Sequence, residues 1–533
     1  MRSRARQQGF VLAMTLIIIA IITIVTFMAV NVSTLESKTA MQDYNGTRAM
    51  YAARGGLAMA MSELWPNNPN WGNPPVSQTM DTNLSFTVSV TQHSNFPNPR
   101  AWRVVSTGYY GVPPQQAQRT IEAYVETEPF SRYAYFTDRE RSSTGSIIRF
   151  VSNDAITGPV HSNGFFTIAG NPRFSETVTS ANLGIVGIDN NTVDTDGSGP
   201  LPAKLFENFF HPQVTTNPGS VTNYNNTTLS FTSTDPKDFY RPESGSNYNS
   251  SRPTALNGSP DFSFAGGQAE IPLPTDPNYA QTNADHTFGN APQNQTPASN
   301  FTNNPNYSGN ANFAMTYDET TGTVTGFTRN GSSVSAASAP PVYKLNFLSN
   351  GTVQVFRKAN NSTSFPATPF QTITNLEAET MYFDGFVVMS GVVDGRVTVG
   401  SREDVHIVGN LTYEDPDEDV MGIVAKDNII VESRTNVNQD RTIHASMMAL
   451  NGSFTVDKYN QGSPRGTLHL LGGIIQRTRG PVGTGSASSV STGYAKDYVY
   501  DDKLASRPPL NFPDTGRVFI KAIFDKNSPG STP

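Results

Sequence analysis

The sequence predicts an α+β protein: a long N-terminal transmembrane helix with a small antiparallel sheet, followed by a large all-β domain wound as a parallel β-solenoid. Three observations carry that expectation. An apolar run occupies residues 10–32, and three alternating segments follow between residues 84 and 128. From residue 129 onward, short β-branched runs recur between Gly and Asn turns, with no amphipathic helical pattern among them.

The apolar run extends from Phe10 to Val32, interrupted only by Thr15, Thr23, Thr26 and Asn31. At about 1.5 Å per residue, a helix of this length crosses the roughly 30 Å hydrocarbon core of a bilayer. Arg2, Arg4 and Arg6 precede it and no basic residue follows before Lys38, so the positive-inside rule puts the N-terminus in the cytoplasm and the rest of the chain outside the inner membrane. A secretory signal has a shorter apolar core ending at a small-residue cleavage site, whereas this run passes directly into a helical segment. Leu35, Met41, Met50, Leu57, Met61 and Leu64 recur at helical spacing up to Pro66, so a single helix is expected over residues 10–64. Gly46 and the pair Gly55–Gly56 are its expected weak points.

The basic leader, Gln7-Gln8-Gly9, Phe10, the apolar stretch and the Ala-rich continuation Arg48-Ala-Met-Tyr-Ala-Ala-Arg-Gly-Gly-Leu57 resemble the class III signal of type IV pilins, and more narrowly the PilX-type minor-pilin N-terminal family. The resemblance implies a leader peptide over residues 1–9, cleaved by a prepilin peptidase between Gly9 and Phe10, with methylation of the new N-terminus. Major pilins carry a Glu at the fifth mature position; here that position is Met14. In the family that carboxylate neutralises the α-amino group of a neighbour inside an apolar filament core, where an unpaired charge is costly. Its absence implies a minor, tip-proximal or priming subunit. The rival reading is an uncleaved signal anchor.

Leu84–Gln92, Trp102–Tyr110 and Arg119–Glu128 alternate and are β-branched, and Asn, Pro and Gly punctuate the gaps between them. They make residues 65–128 a pilin-like sheet, with Ser106-Thr107-Gly108 as the turn that minor pilins of this family show. Residues 129–526 form the β-rich ectodomain and 527–533 a tail. Ile156–Gly164, Phe166–Phe174, Asp384–Gly391, Gly395–Gly400, Val405–Gly409, Asn428–Glu432, Ser453–Val456 and Thr467–Gly472 share one grammar of short runs broken at turns, as expected of coils that bury their inward side chains by stacking. About residues 200–340, where Asn, Ser, Thr and Pro dominate, long loops or an insertion are expected. Gly158–Gly164, Gly170–Phe174, Gly466–Gln476 and Tyr498–Leu504 resemble bacterial proteins that join a pilin-like N-terminus to a β-rich ectodomain, and also the large competence-associated minor pilins of Thermus.

Composition bounds the chemistry. The 533 residues include no Cys, which excludes disulfides, thiolate catalysis and Cys-bound metal centres. Charged residues are 15% of the chain and the formal charge is −7, becoming −10 once the three leader arginines are lost. An acidic surface opposes wholesale wrapping by nucleic acid. Arg465, Arg477 and Arg479 are candidate ligand-binding residues, a basic strip for DNA or an anionic glycan, against a bland role in solubility. Asp415, Asp417 and Asp419, within Glu414–Asp419, are the only candidate ligands for a hard cation such as calcium, against a solvated acidic turn. His406, His444 and His469 fall in strands without an HxH or HExxH pair, so no cofactor is expected. No G-x-S-x-G elbow and no ordered carboxylate array indicates an enzyme.

The expected function is therefore assembly and display: a minor pilin or pseudopilin of a type IV pilus or type II secretion filament, partnered by the inner membrane, other pilin subunits and the prepilin peptidase. Its uncharged polar and aromatic surface suits a glycan or protein ligand, with DNA second. The alternatives are a signal-anchored surface adhesin or polysaccharide-active β-helix protein, and a DNA-capturing competence pilin.

Overall fold

The computed structural model describes residues 2–64, 71–92, 101–181 (apart from 115, 145–147, 149, 152–153, 165, 170–172 and 177), 268–289 (apart from 276–277) and 312–526 (apart from 360–361 and 486–488), with short pieces at 185–188, 204–205, 220–222, 228–230 and 264–265. The expected tail, 527–533, lies outside these residues, as does most of 200–263 and 290–311. The chain forms two compact units, Met1–Thr127 with Gly516–Pro533, and Glu128–Thr515.

In the first unit, α1 runs unbroken over Arg2–Leu64. Its first half is bare: every large apolar side chain from Phe10 to Val32 is exposed. Its second half buries Ala49, Ala52, Ala53, Leu57, Ala60 and Leu64, a stripe at helical spacing made largely of alanines. The stripe lies on Phe86, Val88, Val90, Trp102, Val104, Ile121, Ala123 and Val125. These come from β2 (Leu84–Gln92), β3 (Ala101–Tyr110) and β4 (Ala117–Pro129), which with β1 (Val76–Asp81) form a continuous antiparallel meander. Asn83, at φ 64°, supplies the left-handed residue that the tight β1–β2 turn requires.

Three expectations need correction here. The sheet is not small: it has five strands, and the fifth is the C-terminal segment Asp514–Asp525, which lies beside β4. That segment was expected in the 129–526 ectodomain, but most of it belongs to the first unit. Its charge pattern explains the placement, because Lys521 and Lys526 reach Glu126 (3.0 Å) and Glu122 (2.8 Å) on β4. Ser106-Thr107-Gly108 is also not a turn; it lies inside β3, paired on both sides.

The second unit is β-rich and its principal sheet is mixed, with parallel pairing dominant. Successive passes of chain align in three ladders. In one, Met381, Val399, Ile423, Met447, Ile474, Tyr135, Val160 and Val178 are successive partners. In the second, Val387, Val405, Ile429 and Phe454 follow one another. In the third the order is Leu411, Ile443, Leu470, Tyr498, Ile156 and Phe174. All of these side chains enter a single core. Pairing is parallel because each pass returns to its starting side before the next begins. The N-terminal strands Tyr135–Arg139 and Val160–Ser162 extend the ladder beyond Pro464–Thr478, so segments from both ends of the unit interleave. At one corner the Asp404 carboxylate accepts the Asn428 backbone N–H at 2.7 Å, and the Asn428 amide oxygen accepts the Ser453 N–H at 3.0 Å, satisfying the turn's donors.

Not all of 200–340 is loop. Residues 268–285 run along the ladders: Gln268 N–H bonds Ser180, Ile271 is bracketed by Asn163, Asn451 bonds the Thr275 carbonyl, and Asp285 bonds Thr380. Ile271 and Leu273 cover the outward-facing Val424, Met448 and Ile475. Phe313–Asp318, Thr323–Arg329 and Ser332–Val334 form an antiparallel sheet packed on Phe386 and Val388. Alternation in Phe313, Met315 and Tyr317 carries this, and the overall polarity of the segment concealed it.

Candidate functional site

The most exposed apolar surface of the described residues is the first half of α1. No charged side chain occurs between Phe10 and Leu35. The hydroxyls of Thr15, Thr23 and Thr26 donate to the carbonyls of Val11 (3.0 Å), Ile19 (2.7 Å) and Ile22 (2.8 Å), so the threonines of the run are satisfied within the helix. Their hydroxyls make no demand on lipid or on an apolar partner. It is the one helix among the described residues long and apolar enough to cross a membrane. Gly9 and Phe10 lie within the helix, and Met14 is half-exposed on it.

The sheet-packed half is held at unusually close range. A Cβ at Gly56 would lie 2.3 Å from Ser106 Oγ, and one at Gly108 would lie 2.0 Å from the Ala49 carbonyl oxygen. These positions demand glycine so that α1 and β3 can meet, and α1 continues as helix through Gly55–Gly56. On the opposite face of the sheet Glu122 receives Arg103 at 2.8 and 2.9 Å, Lys526 at 2.8 Å and Tyr124 Oη at 3.0 Å. The Arg103 hydrogen bonds, with those of Lys526 and Tyr124, hold its carboxyl down at about 2.

The expected basic strip is not formed. Arg465 is fully buried and donates to Ser433 Oγ and to the carbonyls of Asp457 (2.8 Å), Lys458 and Gln461 (3.2 Å). Arg479 is buried over the Phe150 ring, 3.7 Å from its centre, and pairs with Glu140 at 2.9 Å. Arg477, less buried, donates to the Leu450 carbonyl (2.8 Å) and Asp138 (3.2 Å). Turns in this unit leave carbonyls pointing inward, and a planar five-donor guanidinium satisfies several at once. Arg465 and Arg479 are thus held inside the fold and away from any ligand surface, while Arg477 keeps 22% of its side chain exposed.

Asp419 accepts the backbone N–H groups of Gly395 and Asp415, each at 2.7 Å, and Asp415 accepts that of Asp417 at 2.9 Å. The acidic run is thus a turn built around its own amides, and among the described residues no group of three or more acids or histidines is arranged to hold a metal ion. Each of the three strand histidines has its own partner: His406 pairs with Glu432 (2.7 Å), His444 accepts the Tyr413 N–H (3.1 Å) and His469 pairs with Asp497 (2.7 Å).

Sequence reasoning missed the buried charges of the second unit. Burial raises Glu403 to about 9, with nearby Asp427 adding to the effect, and raises Asp404 to about 6. Lys496 Nζ lies 3.0 Å from both carboxylate oxygens of Asp154, a pair separated by 342 positions that no local pattern joins.

Residues 8–58 match the family model described as PilX N-terminal, and residues 101–182 match that of a domain of unknown function, DUF4900. No curated protein and no solved structure matches the chain, so the likeness to the Thermus pilins is not shown. The bare helix on a packed sheet and the first of these matches define a type IV pilin-like N-terminal region. Within that class, residues 8–58 are similar to the N-terminal region of PilX-type minor pilins.

Proposed function

We propose that this chain is a minor subunit at or near the tip of a type IV pilus or related filament. It is anchored in the inner membrane by residues 10–32 before assembly, and displays its second unit as a parallel β-solenoid. The observation that carries this reading is the bare apolar half of α1, continuous with a half that packs on its own sheet. The free half supplies the surface on which other pilin subunits would pack, and the packed half fixes its direction relative to the sheet. Met14 leaves that surface without the carboxylate of shaft-forming subunits, and a second unit spanning Glu128–Thr515 on every subunit would crowd a closely packed shaft.

The ladders of inward side chains at repeated spacing support the solenoid, and the exposed surface supports adhesion to a glycan or protein before DNA capture. With Arg465 and Arg479 committed to the interior, the DNA reading loses two of the three residues on which it rested. The role is display and not turnover. Immunogold labelling of sheared filaments tests the position: label confined to filament ends is expected, and label spread evenly along the shafts overturns it.

A further inference from the structure

Lys496 lies on the strand Val490–Val499 and Asp154 immediately precedes Ala155–Ile156, neighbouring strands of one ladder through Tyr498 and Ile156. The lysine nitrogen sits symmetrically between the two carboxylate oxygens, 3.0 Å from each. Only 22% of the lysine side chain and 6% of the aspartate side chain are exposed. Both line a cavity of about 50 Å³ walled by Tyr135, Phe150, Ile474 and Tyr498. That volume holds a small number of waters.

We propose that Lys496 and Asp154 are joined in the folded protein by an isopeptide bond that the protein forms on itself. Within the pair a proton passes from the ammonium to the carboxylate, giving an amine and a carboxylic acid. The nitrogen lone pair then attacks Cγ of Asp154 and the Nζ–Cγ bond forms. The resulting tetrahedral centre breaks one Cγ–Oδ bond, and that oxygen leaves as water with the proton it first received and a second from nitrogen. Ammonium plus carboxylate gives amide plus water, with no change of oxidation state and no co-reactant.

Burial favours the neutral amine that this step needs. Burial holds the lysine below its ordinary value and the Arg479 charge adds to the effect, although Asp154 opposes both. Burial likewise raises Glu140, a second carboxyl in the same interior, whose charge joins that of Asp154 in opposing the neutral amine. The bond would close a loop between residues 342 apart, where N-terminal and C-terminal strands interleave. In a chain without cysteine it would take the role of a disulfide, restricting the unfolded ensemble.

The test is the mass of the denatured full-length protein, compared with the mass its own N-terminus and sequence require. The wild type is expected to be lighter by one water and to yield, on proteolysis, a branched peptide containing Lys496 and Asp154. Lys496→Arg and Asp154→Ala are expected at full mass. A wild type at full mass, or a deficit that persists in Lys496→Arg, overturns the proposal. The wild-type mass is decisive whether or not either variant folds.

Discussion

The hydroxyl of Ser106 donates a 2.7 Å hydrogen bond to the backbone carbonyl of Ala53 on α1, a helix carbonyl reached across the helix–sheet interface from the middle of β3. Contact this close depends on Gly56 and Gly108, and it fixes the half of α1 that continues into the bare apolar surface. Gly108→Ala is expected to lower the stability of the first unit by about 1–3 kcal/mol, the range for forcing extra volume into a packed interface. Gly326→Ala, where an added Cβ meets nothing within 4 Å, is expected to change little. Thermal unfolding of the two variants checks this, and equal midpoints would remove the interface from the account.

Glu122 should make the first unit sensitive to acid. Its folded value of about 2 lies below the ordinary 4.5, so its contribution is complete above 4.5 and is lost as pH falls toward 2. With Arg103 half-exposed and screened, about 1–2 kcal/mol is expected. Glu122→Gln should flatten stability against pH in that window; an unchanged slope would assign the effect elsewhere.

Glu403 should act in the opposite direction on the second unit. Its folded value, about 9, is raised, so stability is greatest below 4.5 and declines as pH rises through 9. Glu403→Gln is expected to stabilise the protein at pH 8 by about 1–3 kcal/mol and to do little at pH 4. Denaturant midpoints at the two pH values decide this, and destabilisation at pH 8 would contradict it.

Arg479→Ala should destabilise the second unit by about 3–5 kcal/mol, because it leaves Glu140 buried without its partner. Adding Glu140→Gln should restore part of the loss. Were the arginine a surface ligand contact, the single variant would keep wild-type stability and the second change would restore nothing.

The helix was legible because an apolar run and an Ala-rich stripe are local signals, and so were β2 and β3, whose alternation matches their burial, and β4, whose second half is buried at almost every position. β1 was not, since Val76–Asp81 is largely exposed and carries no apolar alternation. The fifth strand was hidden by distance: pairing of Asp514–Asp525 with β4 crosses the whole second unit. The same limit applies to the candidate site. Gly9, Phe10 and Met14 belong to a contiguous motif, but whether Arg465 faces water or four protein acceptors depends on turns at Ser433 and Lys458–Gln461 that no sequence pattern places beside it. Basic residues near a strand end read as a surface strip only until the carbonyls they satisfy are seen.

The central claim is that α1 enters a filament as a processed pilin helix. Mass spectrometry of the mature N-terminus tests it most directly: the account predicts a chain beginning at a methylated Phe10, and an intact Met1, or cleavage anywhere other than Gly9–Phe10, would contradict it.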